Sequence, residues 1–171
     1  MSPQTTSESP FDPLKRFAEI EWLVGKIYFR FSHLFLHHLQ RRDFWWEMAM
    51  QEEQHGSILL ACKELIENYE DETVDASITW EKADQLKKQL TDYLSKGTPS
   101  LAVDEAFKIA LEIETSEIDA IYSKLLRLGG PKIAATMENL GVPASVQRQK
   151  LKAALRRFCS DPRLLQAAEQ L

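Results

Sequence analysis

The stretch "MAMQEEQHGSIL", residues 48–59, places two acids and a histidine within an apolar, helix-forming segment. Glu52 and His55 are three residues apart, so on a helix they lie on the same face, whereas Glu53 falls outside it. Apolar residues on both sides continue that face. The stretch therefore predicts a helix whose inward face carries a carboxylate and an imidazole, spaced so that both can reach one metal ion.

Two other predicted helices also carry acids within apolar faces. The first is expected to begin with Asp12 as its N-cap and Pro13 at its first helical position, and Glu21 lies on its inward face. Another helix carries Glu114 and Glu117 in the same way. Because removing an ion from water is costly, four inward carboxylates predict that metal ions or protons accompany them.

Helical periodicity extends over most of the chain, and strand signals are weak. Acidic, turn-forming residues at 70–77 interrupt it, and Gly129-Gly130-Pro131 is expected to end the third long helix. The predicted helices cover about residues 13–40, 42–69, 78–97, 103–128 and 144–159.

An internal repeat indicates how these helices pair. The segment "AEIEWLVGKIY" at 18–28 matches "LEIETSEIDAIY" at 111–122 with one residue inserted. Two similar helix pairs, joined by a long connection that contains a shorter helix, are typical of a four-helix bundle with one crossover.

Composition limits the class of protein. Residues 1–12 read as a polar, disordered tail without the pattern of a secretory signal, and residues 13–171 as one domain. No apolar run is long enough to span a bilayer, and the net charge of −5 argues against nucleic-acid binding. Cys62 and Cys159 show no C-x-x-C spacing, so we expect reduced thiols and a cytoplasmic protein.

Over roughly residues 12–128, these motifs resemble the ferritin-like superfamily, most closely its rubrerythrin-type branch. The resemblance is carried by Glu21 with a tyrosine seven residues later, by "EEQH" at 52–55, and by "EIETSEIDAIY" at 112–122. It implies an all-α, ferritin-like four-helix bundle that binds non-haem iron, with a long crossover containing a short helix.

The resemblance also implies roles for individual residues. Glu21 and Glu114 would be terminal ligands, Glu52 a bridging ligand, His55 the nitrogen ligand and Glu117 an extra carboxylate. Two tyrosines would be hydrogen-bond partners of these ligands: Tyr28 and Tyr122.

The sequence departs from the family pattern in its last quarter. No histidine follows His55, and the spacing of the first half places Gln147 and Lys150 where the family has glutamate and histidine. The second metal position therefore has two ligands fewer. We hypothesise that the Lys150 ammonium faces Glu114 and Glu117 in place of a second cation. The sequence also has no C-x-x-C pair, so we do not expect the rubredoxin-like module of rubrerythrin within it.

The expected function is metal binding, by one or two iron ions, with manganese or zinc as alternatives. If the protein is an enzyme, it would be an oxidoreductase that oxidises Fe(II) with peroxide or O₂ and takes electrons from an external donor. We expect a homodimer. A second interpretation stays open, in which Glu21, Glu52 and His55 form a metal-free hydrogen-bond network in a non-enzymatic helical interaction module.

Overall fold

The computed structural model describes residues 11–66, 75–96 and 102–171. Within these ranges the chain forms eight α-helices and no strand, so the all-α prediction is confirmed. The helices are α1 (Pro13–Leu34), α2 (Leu39–Leu65), α3 (Trp80–Ser95), α4 (Val103–Glu114), α5 (Ile118–Leu126), α6 (Pro131–Glu138), α7 (Ala144–Phe158) and α8 (Pro162–Ala168). The ferritin-like arrangement stays a prediction, as does the single domain. Most of the predicted tail (1–10) and the predicted end of the second helix (67–69) lie outside the described residues.

The start of α1 follows the prediction, but its end does not. Asp12 Oδ1 accepts a hydrogen bond from the Lys15 backbone N–H at 3.1 Å, and proline occupies the first turn. The helix ends at Leu34, about six residues before its predicted end, and a tight turn leads directly into α2. In this turn the His38 N–H donates to the Phe35 carbonyl at 2.9 Å. Since residues 35–38 include no glycine or proline, the sequence has no marker for the turn.

Helices α1 and α2 form the most extensive helix pair of the fold. An ideal Cβ at Gly25 on α1 would lie 3.4 Å from the Ala49 carbonyl oxygen, so the two backbones approach closely there. Helix α3 packs on α1, α5 packs on both α1 and α2, and α7 packs on α4 and α2. The core at one end is aromatic, with Trp45 and Phe107 ring centroids 4.7 Å apart. Helix α5 therefore lies against both members of the α1–α2 pair, and α7 lies against α2.

The third long helix is not continuous, which corrects the prediction. It is interrupted at residues 115–117, between α4 and α5. The Thr115 hydroxyl donates to the Leu111 carbonyl at 2.7 Å, and the Ser116 hydroxyl donates to Ile113 at 2.5 Å. Such side-chain hydrogen bonds compete with the regular backbone pattern of a helix. The interruption changes which residues of α5 face inward.

None of the helices in the three described ranges is both long enough and apolar enough to cross a membrane.

Candidate metal centre

Three side chains from α1 and α2 converge in the core. Glu21, Glu52 and His55 each place one ligand-type atom so that all three atoms lie within 4.8 Å of one another. Their exposed fractions are 1%, 3% and 2%. The predicted inward faces of both helices therefore meet at one buried point, and this group could hold a metal ion.

The orientation of His55 is set from both sides of its ring. Its Nε2 lies 2.9 Å from the Val142 carbonyl oxygen, and its Nδ1 lies 3.2 Å from Glu52 Oε2. A carbonyl can only accept, so Nε2 carries a proton and Nδ1 faces the carboxylate. Two atoms bound to one ion by bonds of about 2.0–2.2 Å lie about 3 Å apart, which the Nδ1–Oε2 spacing matches.

Helix α7 supplies a third wall of the site. Gln147 is fully buried, and its Nε2 donates a hydrogen bond to Glu52 Oε1. Gln147 Oε1 and Glu21 Oε1 are also buried, and neither has a hydrogen-bond partner among the residues that the structure describes. Buried oxygens without partners are rare in proteins, and a cation or a hydrogen-bond donor would satisfy them.

Glu114 lies next to this group but is not one of its members within the described part of the chain. It is buried at the end of α4, and the Tyr28 hydroxyl donates to its Oε1 at 2.6 Å. The ring of Tyr122 packs on the His55 ring with centroids 4.7 Å apart. Both tyrosines predicted as hydrogen-bond partners lie beside the cluster. Tyr28 hydrogen-bonds to Glu114, whereas Tyr122 contacts His55 by ring packing instead.

Burial dominates the electrostatics of the cluster. Burial and the neighbouring Glu52 carboxylate raise the pKa of Glu21 and of Glu114 well above the ordinary glutamate value. Burial alone would lower the pKa of His55, but its hydrogen bond to Glu52 and the charge of that carboxylate outweigh burial, so the pKa is raised. Without a metal ion these shifts favour the protonated forms of Glu21, Glu114 and His55.

Two residues predicted to lie at the site are elsewhere. Glu117, expected on the inward face of the third helix, is in the interrupted segment, where its exposed side chain forms an ion pair with Lys82. Lys150, expected to face the acids, is an exposed residue of α7 that forms an ion pair with Glu47 at 3.4 Å. The assumption of a continuous helix misplaced Glu117. The same spacing that placed Gln147 at the site did not place Lys150 there, because its side chain turns outward to Glu47.

Two residues that the sequence pattern did not indicate adjoin the site instead. Asp119 on α5 is 15% exposed, and its Oδ2 lies 3.3 Å from Arg148 Nε on α7. Burial and the Glu52 carboxylate raise the pKa of Asp119. A break at residues 115–117 brings Asp119 round towards the core, so only a signal for that break could have identified it.

A surface cleft of about 410 Å³ adjoins the cluster. Tyr122, Val142 and Arg148 line it, and Tyr122 and Val142 both contact His55. Between them lies Gly141, where an ideal Cβ would be 2.8 Å from Ile58 Cδ1. One layer of residues therefore separates His55 from the cleft.

Comparisons of this chain with protein-family models, with curated proteins and with solved structures found no match.

Proposed function

We propose that this chain binds one divalent transition-metal ion through Glu21, Glu52 and His55. The observation that carries the proposal is the convergence of three ligand-type atoms within 4.8 Å in a buried site. The unpartnered Glu21 Oε1 and the Nδ1–Oε2 spacing of 3.2 Å support it. Gln147 would hold Glu52 in place, and the Val142 carbonyl would fix the ring of His55, as the outer partners of metal ligands do.

The donor set narrows the choice of metal. Two carboxylates and one imidazole suit iron, manganese or zinc, and the resemblance to rubrerythrin-type proteins favours iron. Bound iron would supply one-electron chemistry with O₂ or peroxide, with electrons from an external donor. The residues of this chain would exclude water from the ion, since Tyr122 and Val142 separate His55 from the cleft.

Metal analysis of protein from iron-replete cells, followed by anaerobic Fe(II) titration, tests the proposal. We expect about one ion per chain in the wild type and none in Glu52→Gln, which keeps the shape of the side chain but removes its charge. The matched control is Glu53→Gln, because Glu53 is the exposed neighbour of Glu52 on the same helix. A wild-type protein that binds no iron, manganese or zinc would refute the proposal.

A metal-free helical module is the second candidate, and one feature favours it. Some charged groups of the cluster lie beside opposite charges within the protein, since His55 contacts Glu52 and Arg148 Nε lies 3.3 Å from Asp119 Oδ2. Such a module would act through exposed apolar residues such as Phe29 and Trp46, whose rings lie 5.5 Å apart. The predicted homodimer belongs to this proposal as well. Absence of metal together with reduced stability in Glu52→Gln would favour the module, because Glu52 contacts both His55 and Gln147.

A further inference from the structure

We infer that Arg148 occupies the place of a second cation beside the proposed metal, and that it thereby limits the chain to one ion. This inference depends on the proposed metal function. Arg148 takes the role that the sequence pattern suggested for Lys150, whose side chain is exposed and paired with Glu47.

The position of Arg148 supports this role. Its Nε is buried and lies 3.3 Å from Asp119 Oδ2, although the two atoms do not form a hydrogen bond. This contact is on the side of the cluster formed by α5 and α7. The preceding residue, Gln147, hydrogen-bonds to Glu52. Adjacent residues of α7 thus reach a proposed metal ligand and the acid next to it.

The guanidinium acts on more than one acid. Burial and the Glu52 carboxylate raise the pKa of Glu114, while the charge of Arg148 lowers it. Arg148 and the Glu52 carboxylate act on Asp119 in the same opposing way. Glu114 and Asp119 are therefore the two acids, outside the Glu21–Glu52–His55 group, that would otherwise attract another cation.

Charge balance gives the physical reason. Four acidic side chains lie in the cluster or beside it: Glu21, Glu52, Glu114 and Asp119. One divalent ion and Arg148 supply three positive charges between them. A guanidinium keeps its charge in proteins and has no lone pair with which to bind a metal. A second ion near Asp119 would have to displace Arg148 or be repelled by it.

Metal stoichiometry of Arg148→Gln tests the inference. We expect wild-type protein and the charge-retaining control Arg148→Lys to saturate at one Mn²⁺ per chain, and Arg148→Gln to take up a second. Isothermal titration and elemental analysis measure both values. If Arg148→Gln still saturates at one ion, the inference is wrong while the proposed function stands, whereas a wild type without metal refutes the proposed function itself.

A measurement on unaltered protein covers the case in which Arg148→Gln fails to fold. Crystals of the wild type soaked in millimolar Mn²⁺ should show one anomalous peak, at Glu21, Glu52 and His55. A second peak beside Asp119 would overturn the inference.

Discussion

At the scale of single residues, His55 shows how far apart in the chain the parts of this site are. Its Nδ1 contacts an acid three residues earlier, and its Nε2 contacts a carbonyl 87 residues later. One contact comes from helix geometry and the other from tertiary folding. Both ring nitrogens have partners, so the ring is held in one orientation.

The buried Glu21 carboxyl predicts how the stability of the metal-free protein depends on pH. Burial and Glu52 raise its pKa in the folded state above the ordinary value of 4.5. The folded state therefore binds the proton more tightly than the unfolded state, and this stabilisation is present below pH 4.5 and lost as pH rises through the folded-state pKa. Urea unfolding of chelator-treated protein should show lower stability at pH 8 than at pH 5.

Glu21→Gln removes this titration, so its unfolding free energy should change less between the same two pH values. Glu114, His55 and Asp119 also have raised pKa values, so some decline should persist in the variant. Equal pH dependence in the variant and the wild type would contradict the assignment of a raised pKa to Glu21.

Two glycines in the α1–α2 pair provide a second test. A Cβ at Gly56 would overlap the indole ring of Trp22, whereas a Cβ at Gly25 would make only van der Waals contact. Replacement by alanine raises the helix propensity at both positions. The difference in unfolding free energy between the two variants therefore reports packing. We expect Gly56→Ala to be less stable than Gly25→Ala by about 1–3 kcal/mol in chemical denaturation. Equal stability of the two variants would show that Trp22 moves aside at no cost.

The residue scale also shows what sequence periodicity can and cannot predict. Periodicity places Glu21, Glu52 and His55 correctly, because charged side chains are rare within an apolar helical face unless a cation or a proton accompanies them. It cannot identify Val142, since that residue contributes a main-chain oxygen that every amino acid has. Gln147 was placed only by analogy between the two halves of the chain.

At the scale of helices, the N-terminus of α1 can be tested directly. Asp12 Oδ1 caps the helix by accepting from the Lys15 N–H, and Oδ2 forms an ion pair with Lys63 on α2 at 2.5 Å. Asp12→Ala should lower the unfolding free energy by about 1 kcal/mol, the usual cost of losing a capping side chain. Asp12→Asn retains a capping oxygen, so it should lose less than half as much. If Asp12→Asn lost as much unfolding free energy as Asp12→Ala, the effect would come from the ion pair with Lys63 and not from the cap.

The interruption between α4 and α5 accounts for the errors made at the helix scale. The apolar spacing from 103 to 128 is compatible with one long helix, and Thr115 and Ser116 are residue types that also occur in uninterrupted helices. Their hydroxyl hydrogen bonds to Leu111 and Ile113 are visible only in the structure. The inward face predicted for the third long helix is therefore correct as far as Glu114. It is wrong at Glu117, and the prediction did not include Asp119.

At the scale of the whole molecule, the cluster joins helices that are distant in the chain. Glu21 is on α1, Glu52 and His55 are on α2, and Gln147 brings α7 to the same place. An ion that binds only the folded state stabilises all of these helices together. At a free metal concentration 100 times the Kd, we expect a gain of about 2.7 kcal/mol in unfolding free energy.

Hydrogen exchange with and without metal measures which helices are stabilised by the bound ion. Amides of α7 should become more protected along with those of α1 and α2, because Gln147 contacts a ligand. Glu53→Gln should show the same gain, and Glu52→Gln should show none. Protection confined to α2 would indicate a surface ion instead of one in the core.

The overall fold was predictable only in part. The all-α class follows from helical periodicity along the chain, and α3 and α7 were predicted close to their observed limits. The short helices α6 and α8 begin at prolines, which mark starts but do not specify how a helix packs. The packing of α7 beside α2 depends on contacts between distant residues, which periodicity does not encode.

The carbonyl that holds His55 belongs to the residue before Pro143. A residue preceding proline is biased towards extended backbone conformations, so the direction of this oxygen is restricted by a ring in the next residue. Exchanging the valine for another side chain leaves the acceptor atom in place, whereas exchanging the proline frees the peptide to rotate. A substitution at position 142 therefore preserves the acceptor that fixes the imidazole tautomer in the core, whereas a substitution at position 143 relaxes the direction of that acceptor.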